Sequence, residues 1–273
     1  FYVFPYTTLF RFGMYLTDAY KLRPQIVRSK NHKLDNQGWL GRPVSAVVVK
    51  AAQNIDFIKC DFRHLGSTGI DYEWGTKGGS IERCCFEDIS GNGILTGSFS
   101  PEAHETHLPY DPADEREVCR ALNIVNNYIT DVTNEDWGTH GICAGFVRDI
   151  NIAHNTISEV SYTAISLGWG WNRTVGCMRN NTVHANLIHH YAKHMYDVAG
   201  IYTLGSQPHS FIRRIVYIVF INPVMYMTPI IGFIFILMKV LPLSLFAIIG
   251  RRRTSSSKMP MVPVMCGKTT VLR

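Results

Sequence analysis

"CDFRHLGSTGIDY" (residues 60–72) and "CCFEDISGNGILT" (residues 84–96) superimpose without a gap. Phe62 falls on Phe86, Leu65 on Ile89, Gly69 on Gly93 and Ile70 on Ile94. The phrase returns as "NYITDV" (127–132), "NTISEV" (155–160) and "NLIHHY" (186–191). Each of these is followed by a small residue and Ile: Gly141-Ile142, Ala164-Ile165 and Gly200-Ile201. Ahead of the apolar pair stand Cys60, Cys84, Asn127, Asn155 and Asn186, at steps of 24, 43, 28 and 31 residues. A unit this short buries its apolar face only by stacking on its neighbours. The apolar positions alternate, which is the period of a strand, and the amphipathic runs that a helical solenoid needs are absent. The expected fold is a coil of short strands, one rung on the next, around a continuous apolar interior.

Asn at a repeated turn position forms a ladder of side-chain amides between rungs, and Cys is small enough to replace it. The step of 43 residues contains the polar insert "SFSPEAHETHLPYDPADEREV" (98–118). In "GIDYEWG" (69–75), strand alternation turns Ile70 and Tyr72 inward and Asp71 and Glu73 outward. On later rungs Asp71 is matched by Leu95, Cys143, Ser166 and Tyr202, and Glu73 by Gly97, Gly145, Gly168 and Leu204. Three stacked glycines beside a carboxylate predict a shallow trough on the outer face. Trp74, Trp169, Trp171 and Tyr202 would wall it, as rings stack on the apolar faces of sugars while acids bond the hydroxyls. Asp71 and Glu73 lie on one face, roughly 6.5–7 Å apart between Cα atoms, and their carboxyls can span the separations that glycosidases use. Asp197 and His140 sit in turns entering the same strand. Two solvated acids on a sheet face, and turn-capping acids at Glu135 and Asp136, are the plain alternatives.

The rung pattern resembles the right-handed parallel β-helix family of bacterial polysaccharide-degrading enzymes, over about residues 44–208. Two phrases, "ISLGWGWN" (165–172) and "YDVAGIYTLG" (196–205), resemble segments of secreted bacterial β-helix proteins grouped with glycoside hydrolases. The resemblance implies an all-β, single-stranded right-handed parallel β-helix. It also implies an extracellular or periplasmic, monomeric glycoside hydrolase acting on complex glycans, without a cofactor. Asp71, Glu73 and Asp197 are the expected acid/base residues, and Trp74, Trp169, Trp171, Tyr202 and His140 the substrate contacts. A polysaccharide lyase on the same fold is an alternative. It would use Ca²⁺ or an Arg/Lys base, and the trough strand itself offers neither Lys nor Arg beside Asp71. A non-catalytic, glycan-binding or adhesive coil is another alternative, because fold alone does not license a reaction.

The chain has 273 residues, enough for one good-sized domain, and a net charge of +6. Six of its basic residues fall in 251–273, which has no acid, so the charge does not describe a nucleic-acid-binding face. The seven cysteines have no metal or disulfide spacing and are expected as buried thiols. Of the eleven histidines, His189, His190 and His194 cluster, as do His104 and His107, but no spacing matches a metal signature. Strand alternation sets His189 and His190 on opposite faces.

Both ends break the pattern. Residues 1–12 contain "FPYTTLFR", which reads as a translated sequencing adaptor, and residues 13–43 lead into the coil. From residue 209 the rungs stop. Residues 215–238 carry no charge over 24 positions, flanked by Arg213, Arg214 and Lys239. Taken literally this is a transmembrane helix, strained by Pro223 and Pro229, and the protein would be membrane-anchored. A frameshift near residue 209 explains 209–273 differently. Met has one codon, so Met259-Pro260, Met261-Val262 and Met265-Cys266 are forced to Ala, Gly and Val in the shifted frame. Permitted codons then restore an Asn-led rung about 29 residues after Asn186 and an acidic "DEG". The expected product is a fragment that lacks a site element and is inactive, with its last rung an unpaired edge.

Overall fold

The computed structural model describes residues 42–99, 109–170, 173–194 and 198–218, with two further strands, Ile236–Lys239 and Phe246–Ile249. These residues are all-β apart from one turn of 3₁₀ helix, Glu115–Glu117. The strands form three sheets, and the chain visits them in turn. The first sheet contains Ser45–Val49, Thr68–Tyr72, Ile94–Thr96, Ile142–Ala144, Ile165–Leu167 and Ile201–Leu204. The second contains Asp61–Leu65, Cys85–Ile89, Tyr128–Val132, Thr156–Val160 and Leu187–His189. The third runs from Gln53–Ile58 and Lys77–Glu82 through Asn123–Val125, Asn151–Ala153 and Thr182–His184 to Ser210–Arg213. Neighbouring strands within each sheet are parallel.

The register is the one the repeat requires. Ile70, Ile94, Ile142, Ile165 and Ile201 are consecutive partners across the first sheet. Phe62, Phe86, Ile129, Ile157 and Ile188 form the matching file in the second. Ile81, Ile124, Ile152, Val183 and Ile212 form the third. The three files meet in one buried cluster, within which Phe62 and Phe86 stack at 4.6 Å with rings 2° from parallel. Each such side chain contributes roughly 1.5–3 kcal/mol by leaving water.

Sharp corners turn the chain from one sheet to the next. His64, Asp88, Asp131, Glu159 and His190 all take left-handed φ between 50° and 56° at the equivalent place. A second set, Lys59, Arg83, Asn126, His154 and Ala185, does so immediately before the ladder residue. Left-handed backbone costs an L-residue roughly 1–2 kcal/mol, and the ladder offsets it. Asn155 Nδ2 donates to Ile124 O at 2.9 Å and to Asn186 Oδ1 at 3.0 Å, and its Oδ1 accepts from the Asn127 amide at 2.9 Å. Asn127 passes the pattern down to the Cys84 amide at 2.9 Å, and Cys84 Sγ accepts from Cys60 N at 3.4 Å. Thiol therefore replaces amide where the sequence changes from Asn to Cys.

Three expectations are corrected. Where the uncharged stretch is described it is strand and not helix: Val216–Ile218 and Ile236–Lys239 are strands, and no helix among the described residues is long and apolar enough to cross a membrane. Nor is the last rung an unpaired edge. Val216–Ile218, Ile236–Lys239 and Phe246–Ile249 each add a parallel strand to one of the three sheets. Leu187 pairs with Val216, a step of 29 residues in the frame as written, although Ile215 stands where a ladder Asn would be. β-rich apolar sequence satisfies its backbone on an open sheet edge as readily as in a helix. Among the cysteines, Cys60, Cys84, Cys119, Cys143 and Cys177 are free, but Cys85 is disulfide-bonded.

Candidate functional site

The first sheet's outer face departs most from expectation. Asp71 and Glu73 do leave the interior while Ile70 and Tyr72 enter it. Asp71 is nevertheless only 1% exposed, because the outer face carries a second apolar layer of its own. Leu95, Phe99, Phe146, Tyr162, Trp169 and Tyr202 belong to it. The glycines read as a trough stand where this layer or a neighbouring strand comes too close for a side chain. A Cβ on Gly145 would lie 2.7 Å from the Phe99 ring, and one on Gly168 2.1 Å from Leu204 O. Phe99, Tyr110 and Val118, from the two ends of the 98–118 insert, help to cover the face.

Asp71 sits at the lower edge of this layer in a network of alternating charge. Arg42 Nε and Nη2 each donate to one Asp71 carboxyl oxygen at 2.5 Å, and Arg42 Nη1 donates to Gly97 O at 2.8 Å. Arg42 Nε is also 3.7 Å from Glu73 Oε1, and Lys50 Nζ lies 3.1 Å from Glu73 Oε2. The guanidinium stacks over Phe99 at 5.3 Å. Burial pushes the Asp71 carboxyl up to about 6, against the pull of Arg42. Glu73 is the outer member of the pair, its side chain 21% exposed.

Sequence reasoning missed both cations, since it searched along the trough strand. Arg42 and Lys50 flank the preceding strand, Ser45–Val49. The signal was present: Val48 pairs with Asp71, so the same step sets Lys50 beside Glu73. The trough strand itself carries neither Lys nor Arg, as read, and both cations come from the flanks of the strand beside it.

Of the other expected residues, Trp169 and Tyr202 belong to the outer apolar layer and His140 packs against it. Trp169 is 2% exposed and meets Phe99 edge-on at 5.0 Å. Tyr202 is buried in the same layer. His140 is buried, its ring 5.2 Å from that of Tyr162, and its backbone amide donates to Asn92 Oδ1 in a second ladder. Burial lowers its pKa to about 3, so it is a neutral packing residue. Trp171 and Asp197 lie outside the described residues, as do His104 and His107. His189 and His190 are not held apart: their Nδ1 atoms are 2.7 Å from each other. Among the described residues no group of His, Cys, Asp or Glu is arranged to hold a metal ion.

Among those of these aromatics that are described, Trp74 alone is open, at 43% exposure. It directly follows Glu73 and forms a wall of a cavity of about 370 Å³, with Gln53, Lys77, Arg116, Glu117 and Arg120 around it. Carboxylate, indole and cations thus lie close together where the first sheet leads into the third, which is an arrangement able to bind a sugar.

A solved structure named "Glycoside hydrolase" is 64% identical to this chain, with a TM-score of 0.63. The match covers 70% of this chain and 33% of the other, so the chain spans about a third of that protein's length. No family model and no curated protein matches.

Proposed function

We propose that the three sheets are the faces of one right-handed parallel β-helix, and that the chain is part of a glycoside hydrolase of that fold. The similarity to a solved glycoside hydrolase at 64% identity carries this reading. The charge network supports it. Hydrolysis of a glycosidic bond takes two carboxyl groups in different protonation states. Asp71, raised to about 6 by burial, holds or releases its proton near neutral pH. Glu73, nearer the solvent and paired with Lys50, is the carboxylate a sugar seated on Trp74 meets first. Arg42 joins the two acids, so a proton shift on one is felt by the other.

A second reading has an observation of its own. A lyase removes the proton beside a uronate carboxylate with an Arg or Lys base, and Arg42 and Lys50 flank the acids.

The test is to incubate the chain with a panel of polysaccharides, both as written and with residues 209–273 restored to the shifted frame. The expected result is new reducing ends without ultraviolet absorbance, from the restored chain only, falling about 100-fold or more in Glu73→Gln. A product that absorbs in the ultraviolet would assign the lyase. Hydrolysis by the chain as written would overturn the frameshift. Glycan binding with no turnover by either chain would overturn the enzymatic reading altogether.

A further inference from the structure

The amide ladder ends in two thiols, Cys84 and, one rung lower, Cys60. The corners that carry them are in register on both sides. Ile58 pairs with Glu82 before the turn, and Asp61 with Cys85 after it. Within the turn, Lys59 and Arg83 share a φ of 56°, and Cys60 O accepts from the Cys85 amide at 2.9 Å. Cys60 therefore stands one strand spacing from Cys84, about 4.8 Å. That lies within the Cα separation a disulfide spans, roughly 4.4–6.8 Å.

Ladder side chains reach down. Asn155 Nδ2 donates to Ile124 O at 2.9 Å, and Asn127 Nδ2 to Ile81 O at 2.8 Å. Cys84 does the same: its thiol donates to Phe57 O at 3.3 Å and accepts from Cys60 N at 3.4 Å. It is also within hydrogen-bonding reach of the Cys60 thiol. Cys60 lies between Gln53–Ile58 and Asp61–Leu65, the end strands of their sheets among the described residues. Its own thiol makes only a 3.6 Å contact with Ile58 O, within the same turn. Rotating Cys60 toward Cys84 gives up that one weak contact. Cys84 is buried in the core, whereas Cys60 is half-buried beside Ile58, which is 51% exposed. Strand Gln53–Ile58 is exposed along most of its length, so this end of the coil is where opening costs least.

We propose that Cys60 and Cys84 are a modification site, closed by a small disulfide oxidant into a cystine that staples the edge rung to the rung above. Cys60, the reachable thiol, attacks oxidised glutathione, which forms a mixed disulfide and releases one reduced glutathione. Cys84 then attacks the Cys60 sulfur and releases the second. Two protein thiols are oxidised, one glutathione disulfide is reduced, and the two thiol protons leave on the glutathiones. Burial pushes the Cys84 thiol up to about 11, which leaves the first attack to Cys60. The staple closes a 24-residue step, and a cross-link of that length removes freedom from the unfolded chain.

The test is to hold the full chain in oxidised or in reduced glutathione, trap the thiols, and map the cystines by peptide mass spectrometry. The oxidised chain is expected to carry a Cys60–Cys84 link that reduced glutathione reopens. Its thermal midpoint should rise by about 5 °C. The link should vanish in Cys60→Ser and Cys84→Ser and persist in Cys85→Ser. Circular dichroism checks each fold, and Cys60→Ser, at the half-buried place, is the control if Cys84→Ser does not fold. No link in oxidised glutathione would overturn the proposal. A link kept in Cys84→Ser but lost in Cys85→Ser would overturn the choice of partner. A Cys60–Cys84 link that leaves the midpoint unchanged, or lowers it, would overturn the stapling role.

Discussion

The interior column and the layer over the first sheet's outer face are both dry and apolar, yet they are built by opposite rules. Inside, each rung supplies the same kind of side chain to the same file: Ile70 on Ile94 on Ile142, and Phe86 on Ile129 on Ile157. Outside, the file beginning at Asp71 continues as Leu95, Cys143, Ser166 and Tyr202, with no common chemistry. Its cover comes from places the repeat does not govern, namely Phe99 and Val118 in the insert, and Trp169 beyond a strand end. A side chain in the interior is held by rungs above and below. A side chain in the outer layer is held by loops, which can relax when it is removed.

That difference is open to breakage, and the largest effect belongs to the column. Ile129→Ala opens a hole between Phe86 and Ile157 that fixed strand spacing cannot close, and is expected to cost about 4 kcal/mol. Denaturant titration checks this. A cost below about 1 kcal/mol would mean that the stacked rungs are looser than their register implies.

Arg42→Ala comes next, at about 3 kcal/mol near pH 7, because it leaves the buried Asp71 carboxylate without its partner. The pH dependence separates this from simple lost packing. In the parent chain Asp71 is raised from 3.8 to about 6, so it binds more protons folded than unfolded. Its stability contribution is present in full below about pH 4 and is lost as pH rises through 6. Without Arg42 the folded pKa moves higher, and the loss extends further upward. The destabilisation should therefore be largest above pH 7 and nearly absent below pH 4. A cost independent of pH would show that Arg42 acts through its contact with Phe99 instead.

The smallest of the three concerns the outer layer. Phe99→Ala is expected to cost about 2 kcal/mol, below the usual range for a buried aromatic, as the loop around it settles into the space. It should also expose Trp169, read as a red shift in tryptophan fluorescence. If Phe99→Ala costs as much as Ile129→Ala, the two layers are equally rigid and the contrast drawn between them fails.

Much of the parallel strand pairing was legible because repetition writes the same contact several times. Five residues at one turn position gave the amide ladder, including the change from Asn127 to Cys84, since a ladder needs only a small polar atom at the right height. The trough was misread for the complementary reason. Gly97, Gly145 and Gly168 record that something must fit beside the backbone, and glycine does not say whether it is a sugar or Phe99. The cations at Asp71 were missed because an ion pair between rungs joins residues 29 apart, one of them just outside the repeat. The literal membrane reading of the tail was open because a long uncharged run fits either a bilayer or a sheet edge.

The sequence by itself determined the period, the inward files and the polar turns, for each is a local choice repeated until only stacking satisfies it. Tertiary structure decided which outward side chains are covered, which carboxylate is buried against Arg42, and where Lys77 and the arginines meet Trp74. Those outcomes depend on single long-range encounters, and an encounter that happens once leaves no period to read.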